Sequence, residues 1–85
     1  MNWKDRKVLV TGGSSFIGSH LTDAIVERGA RVRVVDNLSS GRLSNIQNNV
    51  DSGRVEFLQA DLTEPGVAQR AVDGVQVVFH LAADH

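Results

Sequence analysis

Thr11-Gly12-Gly13-Ser14-Ser15-Phe16-Ile17-Gly18 sets three glycines and three hydroxyl side chains within eight residues. The stretch follows a short β-branched run and opens one with helical spacing. A strand that turns directly into a helix presents the free N–H groups and partial positive charge of the helix N-terminus, which receive a pyrophosphate. Gly12 permits the tight turn out of the strand, and Gly18 lacks a side chain where the helix packs closely on the sheet. The middle position of a Gly-x-x-Gly-x-x-Gly pattern falls on Ser15. Glycine there lets the backbone approach the phosphates. Serine adds bulk but offers a hydroxyl that can donate to a phosphate oxygen. Asp36 lies 18 residues after Gly18, at the end of the next apolar run. A carboxylate there accepts both ribose hydroxyls of an adenosine and repels a 2′-phosphate, which favours NAD over NADP. An aspartate before Asn37-Leu38-Ser39-Ser40-Gly41 would also suit a simple turn. Glycine turn, strand–turn–helix context and acidic residue nevertheless fall in register, which favours the ribose role.

These residues need elements to hold them. Lys7-Val8-Leu9-Val10-Thr11 reads as a strand buried on both faces. From Phe16 to Arg28 the period becomes helical, with Ile17, Leu21, Ala24 and Ile25 on the apolar stripe, Ser14 or Ser15 as N-cap and Gly29 past the end. Arg31 to Asp36 is a second strand whose Arg31 and Arg33 alternate with core valines and point to solvent. Residues 42–50 read as a short helix. Val55 to Ala60 is a third strand. Thr63 caps a helix with Pro65 in its first turn, running to Gly74, and Val75 to Leu81 is a fourth strand. Strands alternating with helices imply parallel pairing, and right-handed crossovers give the order 3-2-1-4. This is the first half of a Rossmann-type doubly wound α/β sheet, three-layered when complete. Its ligand crevice lies at the carboxyl ends of strands one and four, where the glycines sit.

Composition narrows the function classes. At 85 residues the chain makes one small domain, with no repeat or linker. It has no cysteine, hence no disulfide or thiolate-metal framework, and this is compatible with a cytoplasmic setting. The charged Met1-Asn2-Trp3-Lys4-Asp5-Arg6-Lys7 start is no signal peptide, and no apolar run reaches membrane-span length. A formal net charge of −1 with mixed signs gives no reason to expect nucleic acid or an anionic membrane as partner. His20 and His80 read as structural.

Val8 to Gly13 with Phe16 to Leu21, then Val35-Asp36-Asn37-Leu38-Ser39-Ser40-Gly41, then Asp61-Leu62, then Val78-Phe79-His80-Leu81-Ala82-Ala83, resemble the start of an extended short-chain dehydrogenase/reductase. The resemblance is narrower to the NAD-dependent nucleotide-sugar epimerases and dehydratases; Ser15 is the departure. It implies that Gly12, Ser15, Phe16, Ile17 and Gly18 line the pyrophosphate turn, and that Asp36 holds the adenosine ribose with Asn37, Ser39, Ser40 and Gly41 at its outer edge. It implies Asp61 and Leu62 beside adenine, and Leu81, Ala82 and Ala83 under the ribose nearest nicotinamide. For Asp61 a plain strand-end turn is the alternative, and for Leu81 to Ala83 plain core. The family's general acid/base is a Tyr in a Tyr-x-x-x-Lys pair helped by Ser or Thr. This sequence contains no tyrosine, so residues 1–85 are expected to be the N-terminal part of the NAD-binding domain, inactive alone. The fourth strand is then expected to lack its covering helices, so that the isolated chain associates. The resemblance implies a nucleotide-sugar substrate for the parent protein, transient hydride transfer to bound NAD, and room for a homodimer. A non-catalytic dinucleotide sensor and an NAD-dependent reductase with net turnover remain open.

Overall fold

The structure is a computed structural model and describes residues 2–38 and 42–81. Lys7–Thr11 forms β1, Phe16–Glu27 α1, Arg31–Asp36 β2, Leu43–Asn45 a 3₁₀ turn, Gln47–Asp51 α2, Val55–Gln59 β3, Val67–Val72 α3 and Val77–His80 β4. The strands make one parallel sheet in the order β3-β2-β1-β4. The expected topology is therefore observed. β3 stops one residue before Ala60, and β4 begins two residues after Val75.

Strand alternation divides the core between two faces. Val8, Val10, Val32, Val34 and Val55 pack with Ile25, Val26 and Ile46 beneath α1 and α2. Leu9, Val35 and Ala71 form a smaller cluster under α3, joined by Leu58, Leu62 and Val75. The helical reading of residues 42–50 becomes the 3₁₀ turn followed by α2, with Ile46 buried between them.

α1 is rotated from the expected stripe. Its buried residues are Gly18, Ser19, Thr22, Ile25 and Val26, while Ile17 and Ala24 are exposed and Leu21 half-buried. Close approach at Gly18 decides this: a Cβ there would stand 2.2 Å from the Gly12 carbonyl oxygen. In the first turns the small side chains of Gly18, Ser19 and Thr22 consequently face the sheet and Ile17 turns aside, while Ile25 and Val26 enter the core further along the helix. Gly29 ends α1 at φ +92°, with its N–H donating to Val26 O and that of Ala30 to Ile25 O, the paired bonds of a Schellman cap.

Arg33 does not point to solvent. It lies half-buried on the α3 side, and its guanidinium donates to the carbonyls of Arg70, Ala71 and Asp73 at 3.0 Å each and to Glu56 Oε2 at 3.0 Å. The arginine reaches the orphan carbonyls at the C-terminal end of α3, which need donors. α3 itself begins at Val67 rather than at Thr63. Glu64-Pro65-Gly66-Val67 is a type II turn, with Gly66 at φ +83° and Val67 N–H donating to Glu64 O at 3.3 Å. Thr63 is held by Asp61 and so does not cap the helix.

On β4, Val77 and Phe79 face the larger core, where the Phe79 ring centroid lies 5.9 Å from that of Trp3. Val78 faces the other way and remains 49% exposed.

Candidate functional site

The carboxyl ends of β1, β2 and β4 converge on the turn between β1 and α1. Gly12 adopts φ +72°, and its N–H donates to Val35 O at 2.9 Å, which ties the end of β1 to the end of β2. A side chain is excluded at two further positions. A Cβ on Gly13 would meet the Val34 methyls at 2.7 and 2.8 Å, and one on Gly18 would meet the backbone of Gly12.

Ser15 sits at φ −67° and ψ 168°, a conformation open to any residue. It is the N-cap of α1: its Oγ accepts from Gly18 N–H at 3.1 Å and donates to Gly12 O at 2.8 Å. The single hydroxyl proton is thereby committed, so Ser15 does not stand ready to donate to a phosphate. Among the described residues, nothing accepts from the N–H groups of Phe16 and Ile17. These are the first two helical donors, and they form the anion-receptive end of α1. Their side chains are 75% and 71% exposed, and the Phe16 ring packs edge-on to His20 at 4.6 Å.

Asp36 closes β2 beside this turn and is only 7% exposed. Its Oδ2 accepts from the N–H of Ser14 at 3.1 Å and from the Ser14 hydroxyl, and its Oδ1 accepts from Leu38 N–H at 2.7 Å. Ser14 was absent from the expected site. It is fully buried, and its carbonyl accepts from Arg42 N–H at 3.1 Å and from Asn45 Nδ2 at 2.7 Å. A polar side chain between two glycine-turn positions was the available signal. Asn37 follows, exposed, and Leu38 takes φ +63°. Ser39, Ser40 and Gly41 lie outside the described residues.

Asp61 ends the neighbouring β3 connection. Its Oδ1 accepts from the Thr63 hydroxyl at 2.7 Å and from Thr63 N–H at 2.8 Å. The hydroxyl bond first, and the amide bond second, hold its carboxyl below the ordinary carboxylate value. Leu62 is half-buried in the α3 cluster. Across the crevice, Leu81 is exposed, and its N–H donates to Thr11 O at 3.0 Å and Thr11 Oγ1 at 3.1 Å. Thr11 Oγ1 also lies 2.7 Å from His80 Nδ1, so His80 braces β4 against β1. Ala82 and Ala83 lie outside the described residues.

A cavity of about 700 Å³ opens at the opposite, amino end of the sheet, between Lys7, Ala30, Arg31 and Arg54, and contains none of these residues. Among the described residues there is no metal-ligating cluster, and no helix is long and apolar enough to cross a membrane.

Comparison with known proteins agrees with the geometry. The model of the NAD dependent epimerase/dehydratase family matches residues 8–85. UDP-glucuronic acid decarboxylase 1 of Danio rerio is 40% identical over 81 residues, covering 94% of this chain and 18% of that protein. UDP-glucose 4-epimerase of Mycolicibacterium smegmatis is 38% identical over 78 residues, covering 91% and 25%. The crystal structure of the Bordetella bronchiseptica enzyme WbmF in complex with NAD+ and UDP superposes with a TM-score of 0.84 at 34% identity, covering 98% of this chain and 24% of that one. The chain thus spans about a fifth to a quarter of the length of these proteins.

Proposed function

The chain belongs to the NAD-dependent epimerase/dehydratase family, and from that premise we propose that residues 1–85 supply the adenosine and pyrophosphate half of an NAD site in an enzyme acting on a nucleotide-sugar. The observation that carries this reading is the pairing of Asp36, held by Ser14 and Leu38, with the open Phe16 and Ile17 N–H groups at the start of α1. A dinucleotide needs both features, a diol acceptor and a diphosphate receptor. The residues suit the cofactor: Gly12 turns the chain at φ +72°, Gly13 and Gly18 let β2 and α1 pack closely on that turn, and Ser15 keeps its hydroxyl folded back on Gly12.

In this assignment Gly12, Ser15, Phe16, Ile17 and Gly18 shape the pyrophosphate turn. Asp36 holds the ribose, with Asn37, Ser39, Ser40 and Gly41 beyond it. Asp61 and Leu62 border adenine, with the second carboxylate oxygen of Asp61 left to the exocyclic amine. Leu81, Ala82 and Ala83 pass under the ribose nearest nicotinamide. NAD supplies reversible hydride acceptance from a sugar carbon. The chain's own contribution is binding and orientation, and the acid/base residues belong to another part of the enzyme.

Calorimetric titration of the full-length protein with NAD and NADP tests the binding half. NAD is expected to bind more tightly, and Asp36→Ala to narrow the difference by removing repulsion of the 2′-phosphate. Equal affinities in the unmutated protein would overturn the assignment. Incubation with UDP-glucose and UDP-glucuronic acid, with products separated by chromatography, tests the catalytic half. Sugar conversion without net NADH supports epimerase or dehydratase chemistry, whereas stoichiometric NADH would indicate a net dehydrogenase.

A further inference from the structure

The cavity at the amino end of the sheet, about 700 Å³, has the size of a small-molecule site. It is edged by three cations at the starts of neighbouring strands. Lys7 opens β1 and pairs with Arg31, which opens β2. Arg54 precedes Val55, whose partner is Val32, so it falls opposite Arg31. The next residue of each strand, Val8, Val32 and Val55, packs in the larger core beneath α1 and α2. Alternation therefore turns Lys7, Arg31 and Arg54 toward the other face, the α3 side. A Cβ on Gly74, just past α3, would stand 3.6 Å from Lys7 Nζ, which places that ammonium on this side. Adjacent strands lie about 4.8 Å apart, so the row spans roughly 10 Å. Like charges on directly opposite residues repel and destabilise a sheet. No carboxylate relieves them: among the described residues the one ion pair joins Arg33 to Glu56. The other carboxylates at the cavity are Glu27, which ends α1 on the opposite face, and Asp5, in the turn bonded to Gly29, and neither pairs with the row.

We propose that this row is a second anion site, and that it receives the diphosphate of a small phosphorylated ligand. It lies at the opposite end of β1 and β2 from Gly12 and Asp36, so it does not depend on what occupies the glycine turn. A guanidinium fork takes a phosphate group bidentately, and an ammonium acts as a point charge beside it. A single phosphate cannot span the row. Two linked phosphates bridge Arg31 to its neighbours on either side, Arg54 and Lys7, and the rest of the cavity leaves room for the group that carries them. The repulsion within the row is a cost the fold bears while the site is empty, and the anion removes it.

The test titrates the full-length protein, saturated with NAD, with inorganic pyrophosphate in a calorimeter at constant ionic strength, and with orthophosphate as comparator. Pyrophosphate is expected to bind with a Kd below about 1 mM, and orthophosphate roughly tenfold or more weakly than that, because it loses a charged bond. Arg31→Gln is expected to weaken pyrophosphate by roughly tenfold or more for the same reason. Arg70→Gln removes an equal charge from an exposed residue outside the cavity and is expected to leave the affinity within about twofold. Absence of binding, equal affinity for orthophosphate, or equal weakening by both variants would each overturn the proposal. A pyrophosphate affinity untouched by Arg31→Gln would place the binding at another diphosphate site of the full-length protein, and would overturn it as well. Arg54→Gln repeats the comparison at an exposed residue outside the strands, so the question is decided even if Arg31→Gln does not fold. Thermal melts without pyrophosphate give the second readout. Arg31→Gln relieves the row and is expected to melt about 1–2 °C above the unmutated protein; no rise would show that the cations do not strain the sheet and would overturn the proposal.

Discussion

Gly18→Ala sets two effects of known size against each other. Glycine is the weaker helix former by about 1 kcal/mol, so on an exposed helix face this substitution would stabilise. Here the new Cβ would lie 2.2 Å from Gly12 O, 2.8 Å from Gly13 Cα and 3.0 Å from Gly12 C. All three are backbone atoms of the turn, which is tied to β2 through Gly12 N–H and Val35 O. No flexible side chain can yield, so α1 must retreat until the closest contact reaches ordinary separation. Overpacking of this kind costs about 1–3 kcal/mol, and rigid neighbours place it at the upper end. The clash outweighs the propensity, and a net loss of about 2 kcal/mol is expected in urea unfolding. The same retreat carries the Phe16 and Ile17 N–H groups out of hydrogen-bond range of a phosphate, so NAD affinity should fall tenfold or more, the order expected for losing one bond to a charged group. Gly53→Ala is the control. Gly53 has φ +79° with nothing within 4 Å of where a Cβ would stand, so Gly53→Ala should show only backbone strain of about 1–2 kcal/mol and unchanged NAD affinity. A Gly18→Ala protein with wild-type stability and affinity would refute the close approach.

Ser15→Gly should leave NAD affinity within threefold and cost only a few tenths of a kcal/mol of stability, the usual difference between serine and glycine as N-cap; a tenfold loss in the same titration would show that the hydroxyl does reach a phosphate. Arg33→Ala should lower unfolding stability by about 1–3 kcal/mol because three carbonyls of the α3 end lose a charged donor. Arg33→Lys should recover less than half of that, since an ammonium lacks the planar fork, and Glu56→Ala should cost under about 1 kcal/mol because the Glu56 side chain is solvent-exposed. For Asp61 the folded carboxyl lies below its ordinary value of 3.8, so the Thr63 bonds contribute their full stability above that pH. The contribution is lost as pH falls through the lower folded value. Thr63→Val should move the Asp61 carboxyl titration, followed by ¹³C NMR, up toward the ordinary value, and an unmoved titration would discount the hydroxyl bond.

Backbone-driven features were legible in the sequence. Gly12, Gly18 and Gly29 each announced a conformation or an approach that other residues resist, and the structure uses all three as read. β1 and β2 were bounded to the residue because β-branched runs stop at glycine or at Asp36. Strand order followed from chirality and needed no side chain. Pro65-Gly66 carried an equally local turn signal, but Thr63 offered a competing helix start. Asp61 decides between them by taking the Thr63 hydroxyl for itself.

What periodicity could not reveal was which of two adjacent helix faces meets the sheet. Of the apolar stripe Ile17, Leu21, Ala24 and Ile25, only Ile25 is buried; the face that meets the sheet carries Gly18, Ser19 and Thr22 together with Ile25 and Val26. Apolar burial is proportional to area, but it can be gained only at positions that the backbone allows to approach. A rotation placing Ile17 against the turn would leave Gly18 no reason to be glycine and would carry the first N–H groups of α1 away from the crevice. The geometry at Gly12 therefore overrides the hydrophobic preference of the helix. The same logic accounts for Arg33 and Ser14, whose partners, the α3 carbonyls and the Asp36 carboxylate, lie tens of residues away in sequence. A polar residue inside an apolar alternation signals either a solvent face or a buried partner, and only the fold distinguishes the two. In both cases the partner was a group that burial had left in need of hydrogen bonds: carbonyls at a helix end for Arg33, and a carboxylate at a strand end for Ser14.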